Sequence, residues 1–329
     1  GDRSCWEGSA SREKPKAESP SSPARRDLPV ANRAGNFLFL RVENRRELCS
    51  LTGMARPVFS MTGVSVQRNG RRILQDISWL MERDQNWVIV RGNGSGKTSL
   101  LNVLMGYLTP TTGEVEMAGR EDAVNSASQS WDDWRKNIGY VSSSLAQWVD
   151  PAETAIEIVA SGKNAVLNSW QLEEEADLAK AARVMRQVDC EHLRDQSWGT
   201  LSQGERQRVL IGRALMAPNL GLLILDEPCA GLDPVAREHF LGFIDDLTRK
   251  RTFRSLVLVT HHVEEIVPSI THAMVLKEGR CVARGEKRQA LRSATLSEAF
   301  NAELRLRSRL GRYRLYFPEE FEAEGNHIL

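Results

Sequence analysis

Trp87, Val88, Ile89 and Val90 form a continuous β-prone run that Arg91 finishes, and Gly92, Asn93, Gly94, Ser95, Gly96, Lys97 and Thr98 follow directly. Beyond them Leu100, Leu101, Leu104 and Met105 recur at helical spacing until Thr109-Pro110 stops the pattern. This order of strand, glycine-rich loop and helix constrains the chain more than any other stretch. The first amides of a helix have no intrahelical acceptor and lie at the positive end of the helix dipole, so the junction favours an anion. Glycines let the backbone approach phosphates, Lys97 has the reach for the outer phosphates of a triphosphate, and the Thr98 hydroxyl suits Mg²⁺. Gly92 through Ser99 are therefore the candidate nucleotide-binding residues. The full pattern has glycine where Arg91 stands, a departure that a strand-like backbone tolerates and a left-handed one does not.

A second run, Gly221 to Leu225, is apolar and ends in Asp226-Glu227-Pro228, and Leu256 to Val259 is a third. Continuous apolar runs of this length joined through helical stretches indicate parallel strands covered on both faces, the α/β class, with ligands at the strands' carboxyl ends. There Asp226 is the candidate metal ligand, with Thr98, and Glu227 the residue that orients and polarises an attacking water. Val64 to Val66 and Ile73 to Trp79, separated by Asn69-Gly70, predict an antiparallel edge. Glu173 to Val188, with Ala176, Ala179, Met185 and Val188 near one face, predicts a helix within a helical insertion over about 145–200. Ala273 to Lys277, Gly279 and Cys281 to Ala283 read as a closing hairpin.

Leu201-Ser202-Gln203-Gly204-Glu205 resembles the signature motif of ATP-binding-cassette (ABC) ATPases, commonly LSGGQ, with Gln203 in place of the first glycine and Glu205 in place of the glutamine. Ser202 with Glu205 three residues later is also a capping box, and the two readings are compatible. The resemblance runs from about Val58 to Gly285 in the family's order: phosphate loop, helical insertion, signature, acidic strand, Gly231-Leu232-Asp233, then Thr260-His261. It implies a P-loop NTPase core with an antiparallel β edge and helical insertion, hydrolysing Mg-ATP at a dimer interface. By the same resemblance Ser202 and Gly204 cap the nucleotide of the opposite protomer and Asp233 lies in the loop crossing the interface. His261, chosen over His262 because it directly follows the strand end, is the switch histidine facing the γ-phosphate. Two positions depart from the family. Arg68 stands where an aromatic residue stacks on adenine; it either stacks through its guanidinium plane or is a solvated loop charge. Ser142-Ser143-Ser144 stands where a glutamine links the metal site to a membrane partner, so a hydroxyl near Ser143 must substitute.

Forty-four Lys+Arg against 43 Asp+Glu leave a net charge of +1, which gives no bulk attraction to nucleic acid or an anionic membrane. Five cysteines without C-x-x-C spacing favour reduced thiols in a cytoplasm-like compartment. No apolar run nears the roughly 20 residues that span a bilayer. The expected organisation is a disordered arm over 1–55, lying upstream of the true start or serving as a flexible tail, an ABC ATPase domain over 56–285, and an extension over 286–329. In the extension Arg305, Arg307 and Arg309 alternate with apolar residues before Gly311, and Arg312 and Arg314 after it, predicting a hairpin with one basic face. A solvated edge strand explains that face better than nucleic acid does. The expected role is the nucleotide-binding subunit of a transporter, a homodimer or paired with a closely related ABC subunit. It would be cytoplasmic, reaching the membrane through a separate transmembrane subunit. The alternative is a soluble cassette in assembly, repair or translation.

Overall fold

The computed structural model describes residues 26–31, 37–42, 57–92, 96–117, 130–164 and 175–318. Contacts divide the chain into a first unit over residues 1–55 and a second over 56–329. Where the sequence predicts no regular structure, the first unit pairs β1 (Arg26–Ala31) antiparallel with β2 (Phe37–Val42). The run Phe37 to Leu40 is apolar and aromatic, a composition that suits strands.

The second unit opens with β3 (Pro57–Arg68) and β4 (Arg71–Glu82), each 12 residues long. Asn69 and Gly70 turn the chain between them with φ of 50° and 75°, values a primed two-residue hairpin turn requires. β6 (Thr112–Met117) adds to β3, giving a three-stranded antiparallel sheet in the order β4-β3-β6. Between β4 and β6 come β5 (Asn86–Arg91) and α1 (Lys97–Leu104). Then follow α2 (Trp131–Arg135), β7 (Ile138–Ser142), α3 (Ala155–Ser161), α4 (Glu175–Gln187) and α5 (Gln203–Leu215). The core continues with β8 (Leu222–Asp226), α6 (Pro234–Arg249), β9 (Ser255–Thr260), β10 (His272–Lys277) and β11 (Arg280–Glu286).

Strand order in the central sheet is β11-β10-β5-β9-β8-β7, parallel throughout except for the β10–β11 hairpin. Alternation along these strands sorts side chains onto two faces. Ile89, Ile224 and Val257 pack with α1 and the antiparallel sheet, while Val88, Leu223 and Leu258 pack with the helices of the opposite layer. All six are almost wholly buried, each worth about 1.5–3 kcal/mol of apolar transfer. With both faces covered, polar chemistry is left to the strand ends.

In α4 the buried face differs from the one expected. Ala176 and Ala179 are exposed, whereas Ala181, Val184 and Met185 are buried, as is Val188 just beyond the helix. The larger side chains at that spacing set the face, and a pattern anchored on two alanines misplaces it. Two short helices, α7 (Lys287–Ala290) and α8 (Ser293–Phe300), lead into the predicted C-terminal hairpin, β12 (Arg305–Arg309) with β13 (Arg312–Tyr316).

Candidate functional site

Three neighbouring parallel strands, β5, β9 and β8, end on the same edge of the sheet, so the segments that follow them are brought together by register alone. Arg91 is the last residue of β5 and pairs with Leu276, so its backbone is strand-like and tolerates a side chain. Gly92 follows, and Asn93, Gly94 and Ser95 lie outside the described residues. Gly96 then caps α1 at φ 86° with no side-chain cap. A Cβ there would stand 2.7 Å from the Ile73 carbonyl oxygen, so both the left-handed backbone and the close packing require glycine.

Lys97, first in α1, sends its ammonium across to the end of β8. Its Nζ lies 3.0 Å from Asp226 Oδ1 and 2.8 Å from Glu227 Oε1, with the lysine and Asp226 side chains about one-tenth exposed. Three predicted residues, 130 positions apart at the extremes, thus form one cluster. Glu227 adopts φ 50° and donates its backbone N–H to the Val259 carbonyl of β9 at 2.9 Å, which turns its side chain out of the sheet line. On β9's own end His261 places Nδ1 3.6 Å from Glu227 Oε1, beyond hydrogen-bond range. That nitrogen is buried and has no hydrogen-bond partner among the described residues. Behind it, Thr260 Oγ1 donates to Glu265 Oε2 at 2.6 Å and accepts from the His262 N–H at 2.9 Å. Burial pushes the Glu265 carboxyl up, and the Thr260 bond opposes that shift.

Tyr140 completes the cluster and was not anticipated. Its hydroxyl donates to Asp226 Oδ2 at 3.2 Å from the adjacent strand β7. Burial, reinforced by the charges of Asp226 and Glu227, pushes the phenol up to about 12, so it remains a donor at neutral pH. No periodicity marks a tyrosine two residues before a strand end; only the pairing of β7 with β8 brings it there. Ser143, expected to stand in for a glutamine, is half-buried in the turn after β7. The hydroxyls flanking it bond each other, Ser142 to Ser144 at 2.9 Å.

Asp226 Oδ1 is buried and, apart from the Lys97 charge, has no hydrogen-bond donor among the described residues. With the exposed Thr98 at the start of α1, it offers hard oxygen ligands of the kind Mg²⁺ takes when phosphates supply the rest. The chain fits that ion. Ser99, next in α1, is half-buried beside Thr98.

The signature segment lies at the N-terminus of α5. Ser202 caps it in a closed capping box: its Oγ accepts from the Glu205 N–H, while Glu205 Oε2 takes the Ser202 N–H at 2.7 Å and its hydroxyl at 2.6 Å. These bonds hold the Glu205 carboxyl below its usual range. Gln203 donates to the Ala230 carbonyl at 2.7 Å, tying the signature to the loop after Glu227. In that loop Asp233 caps α6, accepting from Val235 and Ala236 at 2.9 and 3.0 Å. Among the described residues these bonds tie the signature to the loop after Glu227 and not to Lys97 or Asp226. A Cβ at Gly204 would meet Leu232 at 3.9 Å, an ordinary contact, so the chain's own packing does not require glycine there.

A family model described as ABC transporter matches residues 74–230. An uncharacterized ABC transporter ATP-binding protein, YlmA of Bacillus subtilis, is 40% identical over 247 residues, 75% of this chain and 92% of its own length. The taurine import ATP-binding protein TauB of Pseudomonas aeruginosa is 31% identical over 68% of this chain and 79% of its own. Among solved structures, cbiO1 from Clostridium perfringens, part of the ABC transporter complex cbiONQ, superposes with a TM-score of 0.60 at 24% identity, covering 71% of this chain and 90% of its own.

Proposed function

Since the chain belongs to the ABC transporter family and is an ATPase, we propose that it is the nucleotide-binding subunit of a transporter whose membrane-spanning part is a separate chain. Two such subunits would close over ATP between them. Among the described residues no helix is long and apolar enough to cross a membrane. TauB, 79% of whose length is matched by this chain, is an import ATP-binding protein. The observation that carries the dimer is that, alongside a cluster built for phosphate, the chain carries a signature helix whose Gly204 has no steric reason within that chain to be glycine. A second copy, or a close relative, would bring the two together.

In this reading Lys97 exchanges its carboxylate partners for phosphate oxygens as ATP enters, and the α1 amides after Gly96 donate to the same group. Asp226, held by Tyr140, and the Thr98 hydroxyl are the ligands for Mg²⁺, which neutralises phosphate charge when bound. Freed from Lys97, Glu227 accepts a proton from the attacking water, and His261 Nδ1 has the unused donor or acceptor capacity to hold the γ-phosphate or the water. The partner's N-terminus of α5 would cap the phosphate from the other side, and Asp233 would line the crossing.

Glu227→Gln tests this directly. It keeps size and hydrogen bonding but removes the base, so ATP binding should persist within about threefold while turnover falls more than about a hundredfold. Light scattering of that variant with Mg-ATP should show a doubled mass. Undiminished turnover would remove Glu227 from its role, and a monomer with ATP would point to a different partner subunit. Purification from native membranes with no membrane protein attached would count against the transporter assignment.

A further inference from the structure

The C-terminal hairpin is more than a solvated edge. Tyr313 is buried, and Lys287, which donates to the Pro268 carbonyl at 3.0 Å, sits 5.8 Å from its ring. Leu304 and Leu306 bond through their N–H groups to the hydroxyls of Ser297 and Ser293. The hairpin is thereby anchored on one side to α8. On its other side one guanidinium nitrogen of Arg312 makes three short contacts: 2.9 and 3.0 Å to the two carboxylate oxygens of Glu238, and 2.9 Å to the Glu264 carbonyl. Leu315 adds an N–H bond to the Glu264 carboxylate at 3.3 Å.

These two acceptors belong to different functional segments. Glu238 lies in the second turn of α6, whose N-cap is Asp233, and Glu264 lies in the turn three residues beyond His261. His261 Nδ1 has no hydrogen bond among the described residues, and the ring otherwise meets Glu227 at 3.6 Å and the His262 ring at 3.9 Å between centroids, so the backbone that carries it has a large share in placing it. We infer that Arg312 is a positioning residue for hydrolysis: from the C-terminal hairpin it straps helix α6 to the turn after His261, holding the histidine at the working distance from Glu227. This rests on the roles proposed above for His261 and Glu227. A cation with three acceptors fixes a geometry that no single bond would. Glu238 is itself half exposed, and so resolvates readily when the arginine is removed.

The test uses the full chain and single-turnover hydrolysis, in which slow rates remain visible. Arg312→Ala should lower the rate about tenfold with ATP affinity within about twofold, the split expected of a lost transition-state geometry. Its melting temperature should stay within a few degrees of the parent. Arg312→Lys should recover most of the rate. In a His261→Ala background the Arg312→Ala change should cost nothing more, because the two act as a unit. An unchanged rate in Arg312→Ala, or an equal loss with and without His261, overturns the strap. Should Arg312→Ala fail to fold, Glu238→Gln leaves the hairpin intact and should slow hydrolysis about threefold; no slowing there overturns the strap as well. Glu227→Gln run alongside separates the two failures. Retained turnover in it overturns the site on which the strap depends, whereas lost turnover beside a normal Arg312→Ala overturns the strap alone.

Discussion

Two helices of this protein begin with glycine-containing segments that we propose meet phosphate, and they begin in opposite ways. α1 starts on Gly96 in a left-handed conformation, without a side-chain cap, and its glycine is demanded by the Ile73 carbonyl 2.7 Å from where a Cβ would stand. α5 starts on Ser202 inside a closed capping box, and the space around its Gly204 is open to 3.9 Å. The first leaves its amides to a ligand and uses glycine to fit its own fold. The second has satisfied its cap internally, and nothing in its own packing demands the glycine. In the proposed dimer, glycine at a phosphate site therefore answers either to the protomer that carries it or to the one that closes on it.

Alanine at each position separates the two cases. Gly96→Ala should cost about 1–3 kcal/mol of stability and lower ATP affinity at least about tenfold, visible as a reduced melting temperature and a weaker titration. Gly204→Ala should leave the melting temperature unchanged or slightly raised, since alanine favours helix. Yet it should slow hydrolysis about tenfold by keeping the facing nucleotide at a distance. A Gly204→Ala protein of normal turnover would erase the distinction between the two ends.

Arg91→Gly asks whether the loop before α1 is impaired by its missing glycine. Because Arg91 is paired within β5, the exchange should alter ATP affinity by less than about tenfold, or 1.4 kcal/mol. A hundredfold gain on titration would mean that the natural loop is held in a poor geometry. The smallest effect belongs to the α5 cap. The Glu205 carboxyl is held below its usual range by Ser202, so its contribution to stability is fully present above the unfolded value. It is lost as pH falls through the lower, folded value. Half-exposed, it should contribute only a few tenths of a kcal/mol. Glu205→Gln should flatten that part of the acid melting curve, and an identical curve would show the capping box to be energetically idle.

The ends of β5, β8 and β9 were legible in the sequence because each is an unbroken apolar run stopped by chemistry-bearing residues, and the order of the motifs was legible for the same reason. β3 and β4 were seen only in part: Thr62, Gly63, Ser65 and Gln67 interrupt the apolar pattern of a strand that continues past them. Contacts that depend on sheet register or on distant surfaces were not legible at all. Tyr140 meets Asp226 across 86 residues, and Arg312 meets Glu238 across 74, with no spacing rule to join them. In α4 the pattern was present but anchored on residues too small to define a buried face.

β8 is buried along its whole length between β7 and β9, and this has a bearing on how the molecule breathes. Amides in such a strand exchange their protons only when the whole domain opens, whereas helix ends and hairpin turns open alone and often. Asp226 and, through its bond to Val259, Glu227 thus belong to the last cooperative unit to come apart. In the proposed mechanism the carboxylates form a stationary reference, toward which the lysine, the histidine or a partner's helix would move.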